Sequence, residues 1–102
     1  MITINGEEYT LKYNINRIGL IENATGTPLM AEFAAYKGML SIQHLQTYLA
    51  YGLKKEGSDV FVPLKTAMQM AENLILSEGY TTACGAVLEA LERDCPFFFH
   101  NA

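Results

Sequence analysis

The sequence predicts a small, mostly α domain with an N-terminal β-hairpin, an α+β fold built from one hairpin and about five short helices. Two observations predict it. Apolar and polar residues alternate over residues 2–5 and 9–13 with the period of a half-buried strand, and after Asn14 apolar residues recur at every third or fourth position. Because an isolated two-stranded hairpin is marginal in water, its apolar face should lie against a helical layer or a neighbouring subunit.

The hairpin is predicted over residues 1–13. Asn5-Gly6 separates its two strands, and both residues tolerate the positive φ angles that a two-residue hairpin turn requires. Residues 14–95 are predicted to be helical and residues 96–102 to form a C-terminal tail. We therefore expect residues 1–102 to form a single domain.

Capping residues mark the first two predicted helices. Asn14 is suited to cap the first helix, and Gly26 is suited to end it. Pro28 fits the first turn of a second, shorter helix, which is predicted to run through Met30, Phe33, Ala34 and Lys37 and to be closed by Gly38.

Three further helices are predicted after a short break. Ser41 caps the third helix, whose apolar stripe runs as far as Leu53 and whose exit is placed at Gly57. A loop or a short extended piece should follow. Pro63 opens the fourth helix, and the fifth is predicted to end at Arg93 after starting near residue 81.

Composition limits the classes of function. Half of the 102 residues are apolar and 18% are charged, which is more apolar surface than one small core easily hides. We therefore expect a homo-oligomer or a partner interface. The net charge of −4 argues against nucleic acid, because such proteins need clustered lysine and arginine.

Membrane insertion and export are not expected. The sequence contains no run of eighteen apolar residues and no apolar signal segment at its N-terminus. Cys84 and Cys95 should lie on one helix about 16 Å apart, which is too far for a disulfide. We expect free, half-buried thiols in a reducing cytoplasm.

No pattern typical of catalysis or of metal or cofactor binding stands out. The cysteines lack a protease signature, and the glycines are scattered rather than gathered in a phosphate loop. The histidines lack neighbouring ligands at metal-binding spacing, and the carboxylate pairs do not look enclosed. His44 is predicted to be structural, half exposed at a helix edge. The residues considered are His44, His100, Glu7, Glu8, Glu89 and Glu92.

Aromatic residues are the candidate partner-binding groups. Tyr48 and Tyr51 flank the stripe of the third helix, where an amphipathic ring suits an interface, although a position at the edge of a small core explains them equally well. Phe97, Phe98 and Phe99 follow the last helix, and three consecutive side chains cannot all face one core. We expect at least one of them to be exposed in a monomer.

The order of these elements resembles that of the tail assembly chaperones of long-tailed bacteriophages and their prophages. The opening strand, Asn-Gly turn, second strand, short helix and Gly-x-Pro-Leu break are similar to the start of that family, and two later helices are similar to its middle and its end. The matching stretches are residues 1–13, 15–22, 26–29, 46–53, 78–80 and 86–91, which include Leu49-Ala50-Tyr51-Gly52-Leu53.

This resemblance implies a function. Such proteins are short, cytoplasmic and non-catalytic, and they bind the long tape measure protein and hold it while the tail tube assembles around it. They are absent from the finished tail. In that family a fraction of ribosomes slips one base near the end of the short reading frame, which gives a longer form with an added domain that is expected to contact the tail tube protein. Codons for Phe97-Phe98-Phe99 could supply the uridine run that slippage needs, and a buried C-terminal anchor explains the three residues equally well.

Three alternatives remain open at this point. A structural head–tail joining or tail-terminator subunit of the virion would also oligomerise, but it would be expected to contain more β-structure. A small regulatory module of a mobile element, such as an antitoxin-like binder, is disfavoured in its DNA-binding form by the low content of basic residues. An enzyme is the last alternative.

Overall fold

The computed structural model describes residues 2–99 and confirms an α+β fold with five α-helices and a three-stranded antiparallel sheet in this part of the chain. The elements in chain order are β1 (Ile2–Ile4), β2 (Glu7–Leu11), α1 (Ile15–Thr25), α2 (Leu29–Tyr36), α3 (Ile42–Gly52), β3 (Leu53–Lys55), α4 (Leu64–Glu78), α5 (Tyr80–Asp94) and a 3₁₀ turn (Pro96–Phe98).

The predicted hairpin is confirmed. Asn5 and Gly6 have φ angles of 51° and 78°, as a two-residue turn with two left-handed positions requires. The register pairs Ile2 with Tyr9 and Ile4 with Glu7. Ile2 and Ile4 therefore point to the same face of the sheet, the face that packs against the helical core.

The predicted end of the third helix is wrong. α3 ends at Gly52 rather than continuing through Leu53 towards Gly57, and the next three residues form β3, which pairs antiparallel with β2. The apolar spacing of Leu53 fits a helix, but the free edge of β2 offers backbone hydrogen bonds that a helix cannot use. Gly57 instead occupies a left-handed position in the turn after β3.

The predicted helix starts are confirmed at their caps. The Asn14 side chain accepts a hydrogen bond from the Arg17 amide, and the Ser41 hydroxyl accepts one from the His44 amide. Gly26 ends α1 in a left-handed conformation. The fifth helix is one residue longer at each end than predicted.

α3 is the centre of the helical layer and packs against α1, α4 and α5. Its buried residues include Leu45 and Leu49, which contribute to a core shared by all the helices and β2. The hairpin's main contacts with α3 and α5 come from β2, not from β1.

The side chain of Tyr13 packs across α3 at Gly52. The Tyr13 ring is buried, its hydroxyl donates a hydrogen bond of 2.7 Å to the Tyr48 carbonyl, and the Lys12 amide donates one of 2.9 Å to the Gly52 carbonyl. A Cβ atom on Gly52 would lie 2.6 Å from Cζ of Tyr13. Only glycine allows the ring to rest directly on the helix backbone.

Asp94, at the end of α5, forms hydrogen bonds with the two residues that follow β2. Its carboxylate, 3% exposed, accepts hydrogen bonds from the Tyr13 amide at 2.9 Å and from Lys12 Nζ at 3.2 Å. Arg93 also donates to Asp94 and to the Leu11 carbonyl. Burial by itself raises the pKa of Asp94, but the hydrogen bonds outweigh burial and lower this pKa from 3.8 to about 2.

The contact at Gly52 predicts a position-specific effect of adding one methyl group. We expect Gly52→Ala to lower the free energy of unfolding by about 2 kcal/mol or more, because the Tyr13 ring has to move. Gly85→Ala is the matched control, since nothing lies within 4 Å of its Cβ, and it should be neutral or stabilising by up to about 1 kcal/mol. Urea denaturation of both variants measures the difference, and equal stabilities would contradict the proposed contact.

The lowered pKa of Asp94 predicts acid sensitivity. A carboxylate whose pKa is lower in the folded state stabilises the fold above its unfolded pKa and loses that contribution as the pH falls through both values. We expect a loss of about 2 kcal/mol from Asp94 as the pH falls from about 5 to about 2. Urea denaturation at several pH values measures this loss. Asp94→Asn should flatten the dependence, whereas Asp59→Asn at an exposed position should not; identical profiles for the two variants would refute the assignment.

Candidate functional site

A groove of about 590 Å³, open to solvent, lies between β1, α4 and α5. Its walls are mainly apolar, with Asn73, Ser77, Glu78 and Thr82 along its polar margin. The apolar groups that line it are Ile2, Ile4, Leu49, Met70, Leu74, Ala83 and Ala86.

The groove exists because the hairpin is attached along β2 while α5 presents small side chains beneath β1. Ala83 and Ala86 leave a gap under Ile2 and Ile4, and both isoleucines are only half-buried as a result. A protein interior normally fills such a space to the density of an organic crystal. Here the space is left open to solvent.

A second cavity of about 140 Å³ continues the first one along α5. The two cavities share Ile2 and Ala86, and the second extends to Glu89, Ala90 and Arg93. We call the two together the hairpin groove.

The rim of the hairpin groove is acidic. Glu78 borders the larger cavity and Glu89 the smaller one, and both are exposed. In the described part of the chain neither carboxylate forms an ion pair. The cation at the same rim, Arg93, is already bound to Asp94 and to the Leu11 carbonyl.

Helix α2 buries its charged residue and exposes apolar ones. Its one charged residue, Glu32, is 3% exposed and contacts His44 Nδ1 on α3, whereas Met30, Ala31, Ala34 and Ala35 face solvent. The side of α2 that faces the core is formed by Leu29, Glu32 and Phe33. His44 is partly exposed at the helix edge, as predicted.

Two buried polar atoms lie near this pair without a hydrogen-bond partner among residues 2–99. They are Glu32 Oε1 and the Tyr48 hydroxyl. Burial, and then the carboxylates of Glu32 and Glu22, raise the pKa of the Tyr48 hydroxyl.

The assignment of Tyr48 to a partner surface is wrong. Its side chain is fully buried, and its ring stacks on Phe33 with the ring centroids 6.5 Å apart. The repeat of α3 turns this residue towards α2, so the ring completes the core. Tyr51 is half-buried, with the Arg17 guanidinium 5.3 Å from its ring centroid.

As expected, Phe97, Phe98 and Phe99 do not all face the core. Phe98 packs against the core, while Phe97 is 50% exposed and Phe99 is 37% exposed. Their rings contact one another, with the centroids of Phe97 and Phe98 4.7 Å apart. None of the five aromatic residues predicted to bind partners lines the hairpin groove.

Sequence reasoning missed the residues that form the hairpin groove. Its floor depends on Ala83, Ala86 and Ala90, which recur at helical spacing on the face of α5 that meets the hairpin. Small side chains opposite Ile2 and Ile4 were the available signal, but alanines on a helix are equally compatible with close packing.

The thiols and the remaining titratable groups do not gather into a site in the described residues. Cys84 and Cys95 are free, as predicted, but buried rather than half-buried. Residues 2–99 contain no group of three side chains that could hold a metal ion, and His100 lies outside this range. None of the described helices combines the length and apolar character that crossing a membrane requires.

No protein-family model, curated protein or solved structure matches this chain.

The groove predicts that one α5 position accepts a large side chain. We expect Ala86→Leu to leave the free energy of unfolding within about 1 kcal/mol of the parent value, because the added atoms enter an open space. Ala71→Leu on α4 is the contrasting variant: this position is fully buried, and overpacking should cost about 2 kcal/mol. Thermal unfolding followed by circular dichroism compares the two. A larger loss of unfolding free energy for Ala86→Leu than for Ala71→Leu would mean that the groove is closed.

Proposed function

We propose that the chain is a non-catalytic tail assembly chaperone of a bacteriophage or prophage, which binds the tape measure protein in the bacterial cytoplasm and keeps it soluble during tail tube assembly. The observation that carries this proposal is the open apolar hairpin groove on so small a domain. The resemblance of the hairpin, the first helix and the Gly-Thr-Pro-Leu break to that family supports it.

The chemistry of the expected partner fits the groove. A tape measure protein is a long amphipathic helical chain, and its apolar stripes need cover until the tail tube encloses them. Groove-binding of an amphipathic helix is a common mode of peptide recognition. Several copies with moderate affinity gain avidity along one long chain, so no single site needs to be strong.

Other apolar side chains are also exposed. Leu76 is 77% exposed and Ile15 is 73% exposed, and the outward face of α2 carries no charge. Surfaces of this kind favour association with a second copy or with a partner. Self-association therefore forms part of the proposal.

A longer form of the protein is a second part of the proposal. If Phe97-Phe98-Phe99 are encoded by an unbroken uridine run, ribosomes can slip there and add a domain that contacts the tail tube protein. A cytosine within the first two of these codons would remove the slip site.

Co-expression tests the proposed function. We expect the tape measure protein encoded by the same phage or prophage to be soluble when this chain is co-expressed and insoluble without it or with an unrelated acidic domain of similar size. Equal solubility in all three cases would refute chaperoning.

The composition of purified virions separates the chaperone from the structural alternative. A tail assembly chaperone should be absent from mature particles, whereas a head–tail joining or tail-terminator subunit should be present at a fixed number of copies. Mass spectrometry of virions gives the result.

A further inference from the structure

We infer that the hairpin groove binds an amphipathic helix whose apolar stripe is flanked by lysine or arginine. This inference deepens the proposed function, and it rests on that function only in taking the partner to be helical.

The dimensions fit two turns of a helix. The stretch of α4 from Met70 to Glu78 is about 12 Å long at about 1.5 Å per residue. Apolar side chains at positions i, i+3 or i+4, and i+7 of a partner helix span about the same length. The volume of 590 Å³ lies within the range of about 300–1,000 Å³ that is typical of binding pockets.

The backbone of β1 favours side-chain insertion over the addition of a strand. Ile4 and Glu7 flank a two-residue turn and form a hydrogen-bonded pair, so the polar backbone groups of Ile2 and Ile4 point towards β2. Within the described strand only Thr3 directs its N–H and C=O outward. Thr3 offers an added strand one N–H and one C=O, whereas Ile2 and Ile4 offer apolar contact to a helix.

The charge of the rim selects a basic partner. Glu78 and Glu89 stand at the two cavities without an ion pair among the described residues. Arg93 lies near Glu89 and shares the Asp94 carboxylate with Lys12. The excess negative charge of the rim is therefore at Glu78, beside the larger cavity. Lysine or arginine beside the apolar stripe would meet these carboxylates. A second copy of this chain fits poorly as the occupant, because its net charge is −4.

Labelled peptides test the inference on the whole protein. One peptide of fifteen residues carries leucines on one helical face with lysine flanks, a second has the same leucines with glutamate flanks, and a third keeps the lysines but scatters the leucines. Fluorescence anisotropy should show the first binding about tenfold more tightly than the second at about 0.05 M salt. The difference should shrink to about twofold at about 0.5 M salt, and the third peptide should bind weakly.

Variants locate the binding. Ala86→Leu and Ser77→Leu fill the groove, and each should weaken binding of the lysine-flanked peptide by about tenfold. Ala34→Leu on the outward face of α2 is the matched control and should leave binding unchanged. Glu78→Gln with Glu89→Gln should remove most of the preference for lysine, whereas Glu72→Gln on α4 outside the groove should preserve it. Thermal unfolding confirms that each variant is folded.

Three results would overturn the inference. They are equal affinity for lysine-flanked and glutamate-flanked peptides, no effect of filling the groove, and binding of a fatty acid in the groove when no peptide binds. These results are distinct from failure of the chaperone proposal. If peptides bind as expected but co-expression does not keep the tape measure protein soluble, the groove assignment stands and the chaperone proposal fails. If co-expression keeps the tape measure protein soluble but the peptides do not bind, the groove assignment fails and chaperoning uses another surface.

Discussion

The close approach of Tyr13 to Gly52 is the constraint on which the rest of the structure depends. The Tyr13 ring lies on the bare backbone of α3, its hydroxyl bonds to the Tyr48 carbonyl, and the neighbouring Lys12 amide bonds to Gly52. The chain leaves the helix immediately after Gly52 and pairs with β2. The same crossing therefore fixes the position of the hairpin, the end of α3 and the register of β3.

The contact between Tyr13 and Gly52 holds the hairpin at the β2 side only, and the candidate site lies at the other side, under β1. Tyr13 holds the end of β2 against α3, and Asp94 with its partners Lys12 and Arg93 holds it against α5, while β1 extends over the small side chains of α5. Ile2 and Ile4 therefore remain half-buried above an open groove. Helix α2 leaves a second apolar face in water because its only charge, Glu32, points inward. Apolar surface of this kind gains free energy when a partner covers it, which is the physical basis of the proposed chaperone function.

Local signals predicted most of the fold, and tertiary contacts account for the errors. The Asn5-Gly6 turn and the caps at Asn14 and Ser41 depend on neighbouring residues alone, and the sequence therefore placed them correctly. β3 depends on pairing with a strand far away in sequence, and the periodicity of α3 gave no sign of it. Tyr48 lies three residues after Leu45, which is compatible with the core, but only the packing of α2 against α3 decides between the core and a partner surface. The hairpin groove could not be predicted for the same reason: it is a space between β1, α4 and α5, and its alanines resemble those of any closely packed helix.

Amide hydrogen exchange on the protein alone and in complex with its proposed partner, the tape measure protein, tests the central claim most directly. That claim is that the hairpin groove covers an apolar stripe of the partner. The account predicts slower exchange in β1 and in residues 77–90, which surround the groove, with little change in residues 15–25 of α1. Slower exchange confined to α1 or to α2, or no change when the complex is present, would contradict it.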